Sequence, residues 1–199
     1  MSIELLSGFA DQSRDSAVAF RVMLDAMAQP GRIFTVAAGL EAPPPLLAST
    51  AAICLTLCDY DTPLWLDETL RTAPVLDYLR FHTGARIEEN MAKASFLVCT
   101  PASAAEALAQ ASPGNAEYPD ASATLVIQLS SFAGEALILE GPGIKDARSF
   151  TTSGLDTHFW ALMEDNHRLF PLGCDVFFVT AHEIAALPRS THIRREGQA

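Results

Sequence analysis

The segment ATLVIQLSSFAGEALILEGPG, Ala123 to Gly143, holds two apolar runs of strand length, and the way they are joined sets the kind of sheet the chain can build. "ATLVIQL" and "EALILEG" are separated by "SSFAGE", whose Gly134 suits a hairpin turn. The pattern predicts two adjacent antiparallel strands. The second run then enters Gly141-Pro142-Gly143, a loop that is nearly all backbone, so it either cradles an anion or turns a corner. Pro142 has no N–H, neither phosphate-loop glycine pattern is present, and no helix clearly opens at Ile144, so the corner is the stronger reading.

Outward from this segment, helical and strand periods alternate. From Ser13 to Ala28, Ala17, Phe20, Leu24 and Met27 recur at helical spacing, and Pro30 and Gly31 follow as a stop. "RIFTVA" reads as a short strand, "APPP" as a breaker, and Leu46 to Cys58 as a buried, mostly apolar helix. Thr62 to Leu66 reads as a strand. Thr72 is placed to cap a helix with Pro74 in its first turn, running to about Phe81, and a second short helix is expected from Arg86 to Lys93. "SFLVCT" is a strand, Pro101 to Ala111 a helix and "SPGNAEYPD" a loop. Beyond the Gly-Pro-Gly loop come a strand in "RSFTTSG", a helix from Thr157 to Leu169 with Phe159, Leu162, Met163 and Leu169 inward, and the strand "CDVFFVT". "LPRSTHIRRE" is expected to be an edge strand followed by a charged tail. The fold class is therefore α/β, one domain over residues 1–199, with a mixed β-sheet flanked by helices.

With 199 residues and 49% apolar composition, the chain can bury a sizeable core. A net charge of -11 gives no electrostatic footprint for nucleic acid. A local cluster of Arg and backbone N–H groups can still hold one small anion. The only lysines are Lys93 and Lys145, so arginine, whose planar fork suits carboxylate and phosphate, carries most of the positive charge. The first residues lack a basic-then-apolar run, the longest apolar stretch is interrupted by Ser49, Thr50 and Thr56, and all four cysteines lie in apolar runs. A soluble cytoplasmic protein with no membrane partner is expected.

Polar side chains gather in a few places. In "YLRFHTGAR", Arg80, His82, Thr83 and Arg86 surround a helix end and are candidates for anion binding, with His82 as a proton carrier. The alternative is a helix C-terminus whose Arg and His favour the dipole and whose Gly84 supplies a left-handed stop. Gly141, Gly143, Arg189 and Ser190 are further anion candidates. Asp59 and Asp61 are spaced as ligands for a hard cation or as turn caps, and Asp120 and Ser122 as turn acceptors. Cys54 and Cys58 lack zinc-ligand company, His158 and His167 are too far apart along one helix to share a metal, and Lys145 looks exposed. No metal site and no catalytic residue is assigned.

Together "DTPLWL", "RFHTGA", "YPDASATLV", "GPGI", "FPLGCDVFFV" and "LPRST", with "FRVMLDAMAQPGR" before them, resemble the PhnH family, the H subunit of the bacterial carbon-phosphorus lyase system for phosphonate use. Ser190 stands where that family more usually has threonine. The resemblance implies a fold related to the large domain of pyridoxal-phosphate-dependent transferases, without the cofactor. It implies a homodimer in isolation and a core complex with G, I and J subunits. It also implies involvement in a step in which a phosphonate displaces adenine from MgATP, giving a ribose 1-phosphonate 5-triphosphate, with the I subunit carrying the chemistry. Two roles follow. In one the chain is a non-catalytic assembly subunit with Trp65, Phe81, Tyr118 and Asp120 as interface candidates. In the other Arg80, His82, Arg189 and the Gly141 to Gly143 loop form a pocket for the nucleotide triphosphate or the phosphonate.

Overall fold

The computed structural model describes residues 6–36 and 39–195. Ala37, at the end of the expected strand "RIFTVA", and the charged tail from Glu196 lie outside the described residues. The helices are α1 (Gln12–Ala28), α2 (Ala48–Leu57), α3 (Ala73–Thr83), α4 (Pro101–Gln110) and α5 (Thr157–Arg168). The strands are β1 (Phe34–Thr35), β2 (Leu64–Leu66), β3 (Phe96–Cys99), β4 (Thr124–Gln128), β5 (Leu137–Glu140), β6 (Arg148–Phe150), β7 (Asp175–Val179), β8 (Glu183–Leu187) and β9 (His192–Arg195).

The main sheet has six strands in the order β1-β8-β7-β4-β3-β2, with β2, β3, β4 and β7 parallel and β8 and β1 antiparallel. It is the mixed, helix-flanked sheet that the alternation of elements predicts. A second, antiparallel sheet runs β6-β5-β9, and β9 is an edge strand. The expected β4–β5 hairpin does not form: the two runs belong to different sheets. The reason lies in their burial. Leu125 to Gln128 are all buried, as a strand between two parallel neighbours requires, whereas β5 alternates buried Leu137 and Leu139 with half-exposed Ile138 and Glu140. The "SSFAGE" connection is held instead by the residues after β6. Ser131 N–H donates to Ser153 Oγ, Thr151 Oγ1 donates to Phe132 O, and a Cβ on Gly134 would lie 2.3 Å from Thr152 O.

Side chains alternate across the main sheet into two cores. Val98, Val126 and Phe177 meet α1, α2 and α3 on one face, while Leu97, Leu125, Ile127 and Phe178 meet α4, α5 and the second sheet on the other. Two helices turn otherwise than their apolar spacing implies. In α1 the buried residues are Ala19, Met23 and Ala26, small or slender side chains that allow close approach to α2 and β8, and the Ala17-Phe20-Leu24 stripe faces outward. Phe20 is 45% and Leu24 53% exposed. In α5, Trp160 and Asn166 join Phe159 and Met163 inside, whereas Leu169 lies past the helix end and is exposed.

No full helix forms between Arg86 and Lys93, because the backbone there pairs with β2: Leu64 N–H donates to Arg86 O and Glu88 N–H to Leu64 O. Only a 3-10 turn, Met91–Lys93, remains. Helix α3 starts after Thr72 with Pro74 in its first turn, although the Thr72 hydroxyl makes no cap bond, and Gly84 at φ 70° ends it. At the other end of the sheet, Gln128 in the last position of β4 caps α2. Its Oε1 accepts from Leu47 N–H and Thr50 Oγ1, both at 2.8 Å, and its Nε2 donates to Pro45 O at 3.2 Å. Replacing Gln128 with Leu leaves these buried groups unpaired and is expected to cost about 2–4 kcal/mol, read as a lower urea midpoint with unchanged slope.

Candidate functional site

In the main sheet Leu64, Phe96, Thr124 and Asp175 form one rung across the amino-terminal ends of the parallel strands. The dispersed motifs collect along this edge. "DTPLWL" enters β2, "YPDASAT" enters β4 and "GCDV" enters β7, while "LPRST" leaves the antiparallel β8 beside them. Arg86, closing "RFHTGAR", is bonded to the start of β2, and Gly141 of the Gly-Pro-Gly loop meets Ser190 O.

Arg189 joins three of these segments. Its backbone N–H and Nε donate to Asp175 Oδ1 at 2.8 and 3.1 Å, and one terminal nitrogen donates to Asp175 Oδ2 and Ser122 Oγ, both at 2.6 Å. The other terminal nitrogen donates to Pro119 O at 2.7 Å and reaches Pro171 O at 3.5 Å. The guanidinium fork is therefore fully engaged within the protein. Ser190, half-buried, sits in the turn closed by Thr191 N–H and Pro188 O.

The other anion candidates are taken up in similar ways. His82 Nε2 lies 2.9 Å from Leu6 O and its ring contacts Tyr78 and Phe81, which ties α3 to the segment before α1. Thr83 Oγ1 donates to Leu79 O and accepts from Ala85 N–H, an ordinary helix-end arrangement. Gly143 lies against α1, where a Cβ would come within 2.2 Å of Ala28 O, and Ile144 N–H donates to Gly141 O across the loop. The Gly-Pro-Gly segment turns a corner against α1, and nearby Arg148 donates to Gln29 O and Pro30 O at that helix's end. Arg80 and Arg86 remain exposed, with Glu88 3.6 Å from Arg86.

Of the interface candidates, Trp65 is buried in the core, whereas Phe81 and Tyr118 are 72% and 55% exposed and Asp120 is exposed beside Tyr118. Asp59 accepts from Asp61 N–H and approaches Thr62 Oγ1, so it shapes a turn. Among the described residues no group of three or more His, Cys, Asp or Glu side chains is placed to hold a metal. The cysteines are free and buried, and burial pushes the Cys174 thiol up to about 12.

The carboxyl-terminal ends of the parallel strands, where open α/β sheets usually take ligands, are closed by the chain's own side chains. Gln128 caps α2 there, and Ser49 Oγ donates to Thr180 O. Asp67, just past β2 and 3% exposed, caps the start of α4. It accepts from Thr100 N–H at 3.0 Å, Thr100 Oγ1 at 2.6 Å and Ser103 Oγ at 2.7 Å, and its other oxygen accepts from Thr69 N–H at 2.7 Å. Burial alone raises its pKa, but the hydrogen bonds from Thr100, Thr69 and Ser103 prevail and hold it at about 2. No motif marks Asp67 in the sequence; only its place between a strand and Glu68-Thr69 suggests a cap.

Because Asp67 is held below its ordinary 3.8, it stabilises the fold fully above that value and loses the contribution as pH falls towards about 2. Asp67→Asn is expected to be less stable than the parent at pH 7, and the difference should shrink between pH 4 and pH 2. Urea titrations across that range measure it.

The family model described as "Bacterial phosphonate metabolism protein (PhnH)" matches residues 7–194. Alpha-D-ribose 1-methylphosphonate 5-triphosphate synthase subunit PhnH of Rhizobium meliloti (strain 1021) is 34% identical over 195 residues, covering 97% of this chain and 98% of that protein. The putative C-P lyase subunit protein HtxG of Stutzerimonas stutzeri is 32% identical over 189 residues, covering 94% and 89%. The matched span runs from the segment before α1 into β9, and the chain belongs to the PhnH family of bacterial phosphonate metabolism proteins.

Proposed function

We propose that the chain is a non-catalytic assembly subunit of a carbon-phosphorus lyase core complex, a reading supported by one relative named as a synthase subunit and another named as a putative C-P lyase subunit. It acts at the step in which a phosphonate displaces adenine from MgATP to give a ribose 1-phosphonate 5-triphosphate. One observation carries the reading: Arg189, at the centre of the motif cluster, spends its donors on Asp175, Ser122 and Pro119, so the motifs shape the protein's own edge. Asp67 and Gln128 support the same reading, since their side chains stand in front of α4 and α2 and accept the N–H of the residue that precedes each helix, Thr100 and Leu47. No helix among the described residues is long and apolar enough to cross a membrane; the complex is proposed to lie in the cytoplasm.

A second reading rests on Arg80 and Arg86, exposed cations with which this subunit would hold a phosphate or phosphonate at a neighbour's active site. Calorimetry of the isolated chain separates the two. MgATP, ribose triphosphate and methylphosphonate are expected to give no binding heat at millimolar levels, and Arg80→Ala to leave turnover of the complex unchanged. If Arg80→Ala leaves the complex intact but stops turnover, assembly alone is not the role.

In isolation the chain is proposed to form a homodimer through the outward stripe of α1. Arg14 lies near the amino-terminal end of that face, Arg21 near its middle and Asp25 towards the other end, and none is in an ion pair among the described residues. Antiparallel pairing about a two-fold axis sets Arg14 against Asp25, opposes the helix dipoles and covers Phe20 and Leu24. Leu24→Arg is expected to convert the dimer to monomer in sedimentation velocity.

A further inference from the structure

The motif edge continues, on the α4–α5 side, into a surface that neither the core nor the α1 face accounts for. Between α4 and α5 lies an open hollow of about 230 Å³ lined by Leu108, Ala111, Pro113, Leu162 and Leu169. Beside it stand the two turns that Arg189 bridges, one carrying Tyr118 and the other Phe170. Phe170 is 60% exposed. These turns are braced twice more: Gly173 N–H donates to Pro113 O at 2.9 Å, and Gly114 is so close to Pro119 O that a Cβ would lie 2.8 Å from it. Two aromatic side chains are thus displayed on backbone that is already fixed, which lowers the ordering cost of using them as anchors.

The charges around the hollow have one dominant sign. Glu117 and Asp120 flank Tyr118, are exposed, and are in no ion pair among the described residues. Glu164 and Asp165 share the single Arg168, at 3.9 Å for Glu164. Arg189 points inward and is neutralised by Asp175. Such a rim repels phosphate and phosphonate, and it repels a second copy presenting the same face.

We propose that this face seats a segment of a partner polypeptide that puts one large apolar side chain into the hollow and Lys or Arg residues against Glu117, Asp120 and Asp165. The assignment rests on the assembly role proposed above and locates it: the partner subunit docks by the α4–α5 hollow, leaving α1 free for self-pairing. Self-association and complex formation then use separate surfaces and do not compete.

The test is co-expression of tagged chain with the other subunits of its complex, followed by purification at two salt concentrations. Tyr118→Ala/Phe170→Ala, and Ala109→Trp, which fills the hollow from an exposed position of α4, are each expected to retain the sister subunits roughly ten-fold less or worse. Glu117→Lys/Asp120→Lys is expected to weaken retention at low salt and flatten its salt dependence. Leu24→Arg should retain them normally, and circular dichroism should show all variants folded. If the unaltered chain retains no sister subunit, the assembly reading falls and this assignment with it. If the unaltered chain and the hollow variants retain them equally, only the assignment falls. If the hollow variants instead dissociate the isolated dimer, the occupant is a second copy and the assignment is wrong.

Discussion

The contact between Arg189 and Asp175 organises the amino edge of the sheet. Asp175 opens β7, in the middle of the sheet, and Arg189 follows β8, so the pair fastens the hairpin between them at its open end. The rest of the guanidinium then fixes the turn before β4 and the turn after α5, two segments with no backbone ladder of their own. A lysine in its place keeps the charge and loses the fork, and with it the simultaneous hold on Asp175, Ser122 and Pro119.

The two edges of the sheet have opposite characters. At the carboxyl ends, where a doubly wound protein commonly receives phosphate, Asp67 takes the N–H and hydroxyl groups at the start of α4 and Gln128 those at the start of α2. Asp67 puts a buried carboxylate in front of α4, and its low pKa reflects the hydrogen bonds from Thr100, Thr69 and Ser103. At the amino ends Arg189, Asp175 and Ser122 satisfy one another, while Thr191 Oγ1 is buried without a partner, and the side chains left outside towards α4 and α5 are aromatic and acidic, the composition of a contact surface.

Much of the element order was legible because hydrophobic period and turn residues are local signals: α2, α4, β3, β7 and the Gly84 stop of α3 all fall close to where those signals put them. The hairpin was misread because Gly134 marks a close approach to Thr152, and a glycine needed for space looks the same in sequence as one needed for a turn. The outward turn of α1 was hidden because Phe20 and Leu24 have the spacing of a core stripe, and only the presence of α2 and β8 on the other side makes Ala19 and Ala26 the buried face. In the sequence Arg189 is a cation next to Ser190. That its charge is already matched depends on Asp175, fourteen positions away in sequence and a bond length of 2.6 Å away in space. Asp67 lies in no motif and matters through its burial, whereas Phe170 opens the motif "FPLGCDVFFV" and its place at the surface is visible only in the fold.

The stretch from Glu183 to Arg195 supplies β8 to the main sheet and β9 to the second, so one short length of chain crosses from one sheet to the other. Without β8, one side of β7 has no partner strand, and without β9, one edge of β5 is bare. During synthesis neither sheet can be completed until this stretch has left the ribosome, although most of α1 to α5 has long since emerged. Such a nascent chain holds its unpaired strands in waiting, and its final collapse is a late, long-range event of the slow, high-contact-order kind.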